Sequence, residues 1–320
     1  MKKEKQQIVL HAEVSEEFVG LRLDQALASL FPEYSRTCLK NWILAGCVIL
    51  NGTPCEKAKD KVSLGDRIVI EALLKDREQW EPESIPLDVV FEDESLLIIN
   101  KGPNFVVHPA AGNWTGTLVN ALLHYHSPLK TLPRAGLIHR LDKDTTGLLV
   151  VAKTLTAQQH LVKLLQERKM KRIYEAIVNG VVLSGGTIEA PIGRHPKDRR
   201  QMAVRETGKP AVTHYRVIQR FTAHTHLRVE LETGRTHQIR VHLAHRRYPI
   251  VGDKLYGGRF SLPAGASDEL REALQQFSRQ ALHACQLALT HPVTGEYCEW
   301  KVPLPEDMQH LLSVLQNNSP

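Results

Sequence analysis

Apolar positions along the chain recur with two periods, and each period predicts a kind of element. In LRLDQALASLF (21–31) Leu23, Ala26, Leu27 and Leu30 fall at i, i+3, i+4 and i+7, one face of a helix. A second helix is predicted from about Arg36. Ser35 is a good N-cap, Leu39, Trp42 and Ile43 keep the helical spacing, and Gly46 is a natural stop. CVILNG then reads as a strand running into Asn51-Gly52, the strongest two-residue hairpin signal, and RIVIEA follows the Gly65-Asp66 turn as a further strand. Two helices and a small sheet in so few residues form a compact module whose own core is marginal.

Between Asp76 and Asp88 the chain reads DREQWEPESIPLD, polar, with two prolines and no period, which suits a semi-extended linker. The expected organisation is a module over 1–78 with its core at about 18–75, a linker over 79–88 and a larger domain over 89–320. In the larger part VVFEDESLLIINK reads as two strands around an acidic turn. GLLVVAK (147–153) is apolar throughout, as in a strand covered on both faces. TAQQHLVKLLQER (156–168) has helical spacing, RIYEAIVNGVV reads as a strand, and Leu227, Val229 and Leu231 alternate in period two. SDELREALQQF (267–277) begins with Ser267 as an N-cap and is expected as a peripheral helix. Strands outnumber helices without regular βαβ alternation, so the expected class is α+β, with a mixed, mainly antiparallel sheet and flanking helices.

Composition narrows the function classes. The 320 residues are 42% hydrophobic and 24% charged, as in an ordinary globular protein. No apolar run approaches a membrane span, and MKKEKQQIVLHAEV lacks the apolar stretch of a signal peptide, so a cytoplasmic location is expected with no membrane partner. Five cysteines, odd in number and without a C-x-x-C pair, argue against a disulfide framework or a zinc ribbon.

The formal net charge of +6 is unevenly placed. Residues 1–80 are neutral, residues 81–120 carry a net of −5, and residues 161–220 carry +8, including RKMKR (168–172) and RHPKDRR (194–200). A concentrated basic stretch can neutralise phosphates, although a solvated basic face fits the same residues.

Three segments carry candidate chemistry. In RAGLIHRLDKDTTGLLVVAK (134–153) a polar cluster stands at the end of a core strand, with Asp142 and Asp144 as carboxylates and Thr145 and Thr146 as hydrogen-bonding neighbours; a solvated turn is the bland reading. In LETGRTHQIRVHLAH (231–245) a strand ends at Thr233-Gly234 and a helix is expected from near Thr236, placing Arg240 in its first turns. His237, His242 and His245 raise a zinc reading, but H-E-x-x-H is missing and five residues separate the first pair, so no metal is expected. Tyr174 in KRIYEAIVNG is, as structure, a half-buried strand aromatic sharing a face with Ala176 and Val178. Phosphate-loop, dinucleotide and serine-elbow motifs are missing from the sequence.

Residues 134–153 resemble the H-R-L-D-x-x-T-[ST]-G signature of the RluA-type pseudouridine synthases. MKRIYEAIV (170–178), PAVTHYRV (210–217) and LETGRTHQIRVHLAH follow in that family's order, and RLDQALASLFPEYSR, WILAGCVILNG and VSLGDRIVIE resemble the S4 RNA-binding domain. The resemblance implies a catalytic aspartate at Asp142, an active-site tyrosine at Tyr174, an aspartate-pairing arginine at Arg240 and a base-displacing arginine at Arg140. His139 and Thr146 are expected beside the substrate. Arg22, Arg36 and Lys40 of the module, with Lys171 and Arg172, are expected to contact RNA.

What the resemblance implies for function is isomerisation of uridine in 23S ribosomal RNA or the large ribosomal subunit and its precursor, in the loop of helix 69, by a monomer with no cofactor. A sister synthase acting on other ribosomal or transfer RNA uridines, and an S4-type assembly factor without chemistry, are the alternatives. The residue types suit the reaction. An ionised aspartate can act as nucleophile or base at the sugar, an arginine holds it charged and oriented, and Arg140 can stack in the space that an extruded base leaves.

Overall fold

The computed structural model describes residues 7–31, 34, 36–73, 80–109, 113–258 and 262–318. Internal contacts divide the chain into two compact units, 1–79 and 80–320.

The smaller unit runs β1 (Gln7–Glu13), α1 (Leu23–Leu30), α2 (Arg36–Leu44), β2 (Val48–Leu50), β3 (Thr53–Cys55) and β4 (Arg67–Leu73), with its four strands ordered β1-β4-β2-β3, every pair antiparallel. The helical faces read from the sequence are the ones buried: Leu23, Ala26, Leu27, Leu39 and Ile43 pack with Val48, Ile68 and Ile70. Asn51 and Gly52 take φ values of 51° and 82°, the pair of positive angles that a two-residue turn between twisted strands needs. The expected N-cap Ser35 lies outside the described residues. Asp24, 3% exposed, ties the two helices by accepting from Arg22 Nε at 3.0 Å and Arg36 Nη2 at 2.8 Å.

The larger unit contains β5 (Val89–Glu92), β6 (Leu96–Lys101), α3 (Leu118–Tyr125), β7 (Thr146–Ala152), α4 (Leu155–Gln166), β8 (Lys171–Asn179), β9 (Gly186–Glu189), β10 (Ile192–Arg194), β11 (Met202–Val204), β12 (Val212–Arg220), β13 (His224–Leu231), α5 (Gln238–His245), α6 (Asp268–Gln276), β14 (Leu282–Thr290), β15 (Tyr297–Lys301) and α7 (Glu306–Asn317). Among the described residues nine strands form one sheet, ordered β5-β6-β7-β14-β8-β13-β12-β9 with β15 against β14, while β10 and β11 make a separate hairpin. Every neighbouring pair in the large sheet is antiparallel except β7 with β14, so the sheet is mixed and mainly antiparallel.

The unbroken apolar run of β7 follows from cover on both faces. Leu148 and Val150 face α4 in one cluster with Leu96 and Ile98, whereas Leu149 and Val151 join Leu97, Ile99, α3 and α7 in the other. Gly147 lies where β7 meets β14. A Cβ there would stand 2.3 Å from the carbonyl oxygen of Ala284, so the strands approach this closely only at a glycine.

Residues 80–88, read from composition as a linker, are bonded to the larger unit. Asn120 Nδ2 donates to the Glu81 carbonyl at 2.8 Å, Gly116 N–H donates to the Glu83 carboxylate, and Asn100 Nδ2 donates to Asp88 Oδ2 at 2.8 Å. Among the described residues no helix is long and apolar enough to cross a membrane.

Candidate active site

The segment from Leu137 to Thr146 is held to β7 where that strand is left unpaired on one side. β14 pairs with β7 only at Thr146 and Gly147, and beyond that point the 137–141 segment takes its place. Leu137 bridges Val151, and the His139 ring supplies the missing acceptor: its Nε2 accepts from Val150 N–H at 3.2 Å. A buried backbone donor must be satisfied, and this imidazole does it. Burial, with a smaller contribution from Arg172, pushes the His139 pKa down to about 3, so its ring is neutral. His139 was expected beside the substrate; its ring faces the strand backbone instead.

Leu141 is buried, and the flanking side chains Arg140 and Asp142 turn outward, Arg140 exposed and Asp142 with 17% of its side chain accessible. The turn that follows is cross-braced. Thr145 N–H donates to the Asp142 carbonyl at 3.1 Å, Gln280 Nε2 to Thr145 Oγ1 at 2.9 Å, and Arg279 Nη1 to the Asp144 carbonyl at 3.2 Å. Lys101, 1% exposed, sends Nζ to the carbonyls of Gly102, Phe105 and Lys143 at 2.7, 3.0 and 2.8 Å. Burial pushes the Lys101 pKa down to about 7, against the pull of Asp144 and Asp142. Three carbonyl acceptors use all three protons of its ammonium form. The turn carrying Asp142 is thus fixed by side chains from β6 and from the segment before β14.

Arg240 reaches this turn from the first turn of α5. Its Nη1 donates to Asp142 Oδ2 at 2.9 Å, while Nε and Nη2 form a two-pronged pair with Asp253 at 2.7 and 2.8 Å. The Arg240 side chain is 7% exposed and that of Asp253 fully buried. Burial disfavours the guanidinium charge, but its two carboxylates outweigh this and hold Arg240 firmly protonated. Asp253 also accepts from Leu255 N–H and Tyr256 N–H, at 2.9 and 3.1 Å. The outcome is a carboxylate with one oxygen held: among the described residues Asp142 Oδ1 accepts no hydrogen bond, and His237 Nε2 stands 3.8 Å from it.

Tyr174 stands on β8 in the same neighbourhood, at 5% exposure and so more buried than its sequence context suggested. Burial pushes its phenol pKa up, Arg172 lowers it, and Asp142 raises it further, which leaves the hydroxyl protonated near neutral pH. The structure therefore brings Asp142 and Arg240 into contact from separate sequence segments, with Tyr174 close enough for the Asp142 charge to act on it.

Among the described residues no hydrogen bond joins the other expected site residues to the Asp142 carboxylate. Thr146 is buried and hydrogen-bonded to His283 at 2.8 Å on the far side of the turn, beside a cavity of about 830 Å³. Arg172, expected to touch RNA, is 6% exposed. Among the described residues its Nη2 makes only long bonds, 3.5 and 3.4 Å, to the Leu231 and Glu232 carbonyls, and its Nε has no partner. Strand alternation puts it on the Tyr174 face, which is inward. Lys171, one residue earlier, is exposed. In the smaller unit Lys40 is exposed, and Arg22 and Arg36 are about half exposed, their guanidinium groups braced by Asp24. His242 bonds Thr213 and the Ala190 carbonyl, both at 2.9 Å, and so is fixed as structure.

Asp253 and Tyr256 were not singled out by chemistry. They lie in VGDKLYGGR, a stretch with no apolar period to mark it.

A family model described as RNA pseudouridylate synthase matches residues 95–245, which carry Asp142, Tyr174 and Arg240, and an S4 domain model matches 21–68. Ribosomal large subunit pseudouridine synthase D of Escherichia coli (strain K12) is 54% identical over 311 residues, 97% of this chain and 95% of that protein. The protein of the same name from Haemophilus ducreyi is 52% identical over 313 residues, 98% of this chain and 96% of the other. Among solved structures, human RNA Pseudouridylate Synthase Domain Containing 4 superposes with a TM-score of 0.58 at 26% identity, covering 71% of this chain and 92% of its own. An arginine-held carboxylate near a buried tyrosine, in a chain 54% identical to such a relative over 97% of its own length and 95% of the other's, places this protein in the RNA pseudouridylate synthase family.

Proposed function

We propose that this chain converts uridine to pseudouridine in large-subunit (23S) ribosomal RNA, in the loop of helix 69, acting in the cytoplasm as a monomer on the subunit or its precursor. The observation that carries the chemistry is the Asp142 carboxylate, with Oδ2 held by Arg240 at 2.9 Å and Oδ1 left without a hydrogen bond among the described residues. The names of the relatives above support the large ribosomal subunit as the target, and the resemblance in sequence suggests the helix 69 loop.

A uridine stacked in RNA must first be extruded, at a cost of a few kcal/mol that is smallest in a loop. Arg140, exposed and two residues from Asp142, stacks in the vacated space and offsets part of that cost. Asp142 then acts at the sugar through Oδ1, as nucleophile or base, and the bond from N1 to C1′ breaks. The detached uracil turns against the Tyr174 ring and C5 joins C1′. The C5 proton leaves and N1 gains one, so no electron pair or group is lost overall and no cofactor is required. The exposed basic residues of the β10–β11 hairpin, Arg194, Lys197, Arg199 and Arg200, with Lys171 on β8, offer counter-charge to the phosphates that flank the extruded base. The smaller unit adds Arg22, Arg36 and Lys40.

The reaction exchanges the C5 proton with water, so a ribosomal RNA transcript carrying tritium at uridine C5 reports it directly. Wild-type protein should release tritium in the amount of the target uridines, and Asp142→Asn should release none while still retaining the RNA on a filter. Release by Asp142→Asn would remove the role given to Asp142. Release from transfer RNA but not from the ribosomal transcript would move the target.

A further inference from the structure

His237, considered above only for metal binding, stands opposite the unoccupied oxygen of Asp142 in a backbone conformation that a non-glycine residue seldom adopts. It is the residue before α5, with φ 57° and ψ 21°, and its side chain makes no helix cap. The turn is clamped by the next residue. Gln238 Oε1 accepts from Thr233 Oγ1 at 2.8 Å and Arg235 N–H at 3.0 Å, and its Nε2 donates to the Val212 carbonyl and Thr213 Oγ1, both at 2.9 Å. The direction of the His237 ring is therefore set by the fold and not by solvent.

At the ring, Nδ1 lies 2.7 Å from Tyr256 Oη, and Tyr256 Oη accepts from Met202 N–H at 2.8 Å. The Tyr256 ring is fixed in turn, with the Arg240 guanidinium carbon 5.0 Å from its centre and Asp253 accepting from its backbone N–H. With Nε2 3.8 Å from the Asp142 carboxylate, the favoured neutral tautomer carries its proton on Nε2 and accepts the Tyr256 hydroxyl proton on Nδ1. The groups facing this ring are Asp142, Arg240, Asp253, Arg140 and Tyr256. Burial is the main reason that its pKa lies below the ordinary value.

Resting on the reading of Asp142 as the catalytic carboxylate, we propose that His237 is a positioning residue for it: held as the Nε2–H tautomer by Tyr256, it turns a donor toward Oδ1 and sets the rotation of the carboxylate that Arg240 holds from the other side. At 3.8 Å the interaction is charge to dipole and not a hydrogen bond. It strengthens when a bound nucleotide displaces water from the mouth of the site. The same chain ties the site to the basic hairpin, because Met202 opens β11.

The test is a double-mutant cycle on tritium release with Tyr256→Phe, His237→Ala and the pair, alongside His237→Gln and Asp142→Asn. Tyr256→Phe keeps the ring over Arg240 and loses only the hydroxyl. Partners that fix a histidine tautomer are worth roughly ten- to a hundredfold, so each single variant should lose about that in kcat, with KM changed by no more than about twofold. The pair should be no slower than His237→Ala alone, since both variants break one chain. His237→Gln, whose amide donor does not depend on Tyr256, should recover part of the rate. Losses that multiply in the pair, or that appear in KM alone, or an unchanged rate in both single variants, would overturn the proposal. Turnover by Asp142→Asn would instead overturn the reading on which it rests, so the two failures are distinguishable.

Discussion

Replacing Asp253 by Asn isolates the brace behind the active site. The side chain of Asp253 is fully buried and accepts four hydrogen bonds, two from Arg240 and two from the backbone of Leu255 and Tyr256. Asn fills the same volume but removes the charge and turns an amide donor toward a guanidinium. Breaking a buried ion pair from one side costs roughly 3 to 5 kcal/mol, because the other charge stays behind. For a unit of about this size 1 kcal/mol moves the melting temperature by about 2 to 4 °C, so the larger unit should melt roughly 6 to 20 °C lower. Asp142→Asn is the matched control. It loses one bond to the same arginine at a part-exposed site, leaves Arg240 paired with Asp253, and should cost no more than about 1 kcal/mol. Calorimetry on the intact chain reads both. Equal shifts for the two variants would refute the assignment of Asp253 as the brace and Asp142 as the working carboxylate. Tritium release should fall steeply in both, for different reasons.

Three further outcomes follow from other parts of the molecule. Burial holds His139 near about 3 and His224 and His283 near about 4, whereas all three bind protons in the unfolded chain below about 6.5. Their folded pKa values are the lower ones, so the stability they contribute is present above about 6.5 and is lost as pH falls through the window down to about 4 and 3. Each should cost roughly 2 kcal/mol by pH 5, and a urea midpoint level between pH 7 and 5 would contradict this. Arg36→Gln with Lys40→Gln should weaken RNA binding and reduce its salt slope by on the order of 0.7 for each phosphate left without its counter-charge, read by filter binding across a salt series; glutamine is chosen because a glutamate at Arg36 would face buried Asp24. Arg172→Met should keep stability within about 1 kcal/mol or raise it, since the buried guanidinium has no carboxylate partner among the described residues; a loss above about 3 kcal/mol in a thermal melt would show that its long bonds to Leu231 and Glu232 matter more than their lengths suggest.

Local pattern was enough where one element buries one face. The period of Leu23, Ala26 and Leu27 and the positive-φ pair at Asn51-Gly52 each have a cause within a few residues, and each is read without knowing the rest. Helix α7 was missed although Met308, Leu311, Val314 and Leu315 sit at helical spacing and are all buried. Its anchor, the two-pronged pair of Arg279 with Asp307 at 2.6 and 2.7 Å, spans 28 residues and leaves no local trace.

In the site, residue types identified Asp142 and Arg240 through a long motif, but not what holds them. Nothing in VGDKLYGGR tells that Asp253 takes two prongs of an arginine thirteen residues earlier and leaves one for Asp142. His139 looks like chemistry in sequence and acts as structure, because the gap it fills arises where β14 leaves β7. Arg172 shows the reverse failure: RKMKR reads as a basic surface, yet strand alternation from Tyr174 places Arg172 on the inward face. Charge runs that overlap a strand need to be split by face before they are counted.

The most direct measurement is a nucleotide-resolution map of pseudouridine in ribosomal RNA from cells lacking this protein, complemented with wild type or with Asp142→Asn. The account predicts that a small cluster of large-subunit positions, in the helix 69 loop, loses pseudouridine on deletion, regains it with wild type and stays unmodified with Asp142→Asn. An unchanged map on deletion, or full restoration by Asp142→Asn, would contradict it.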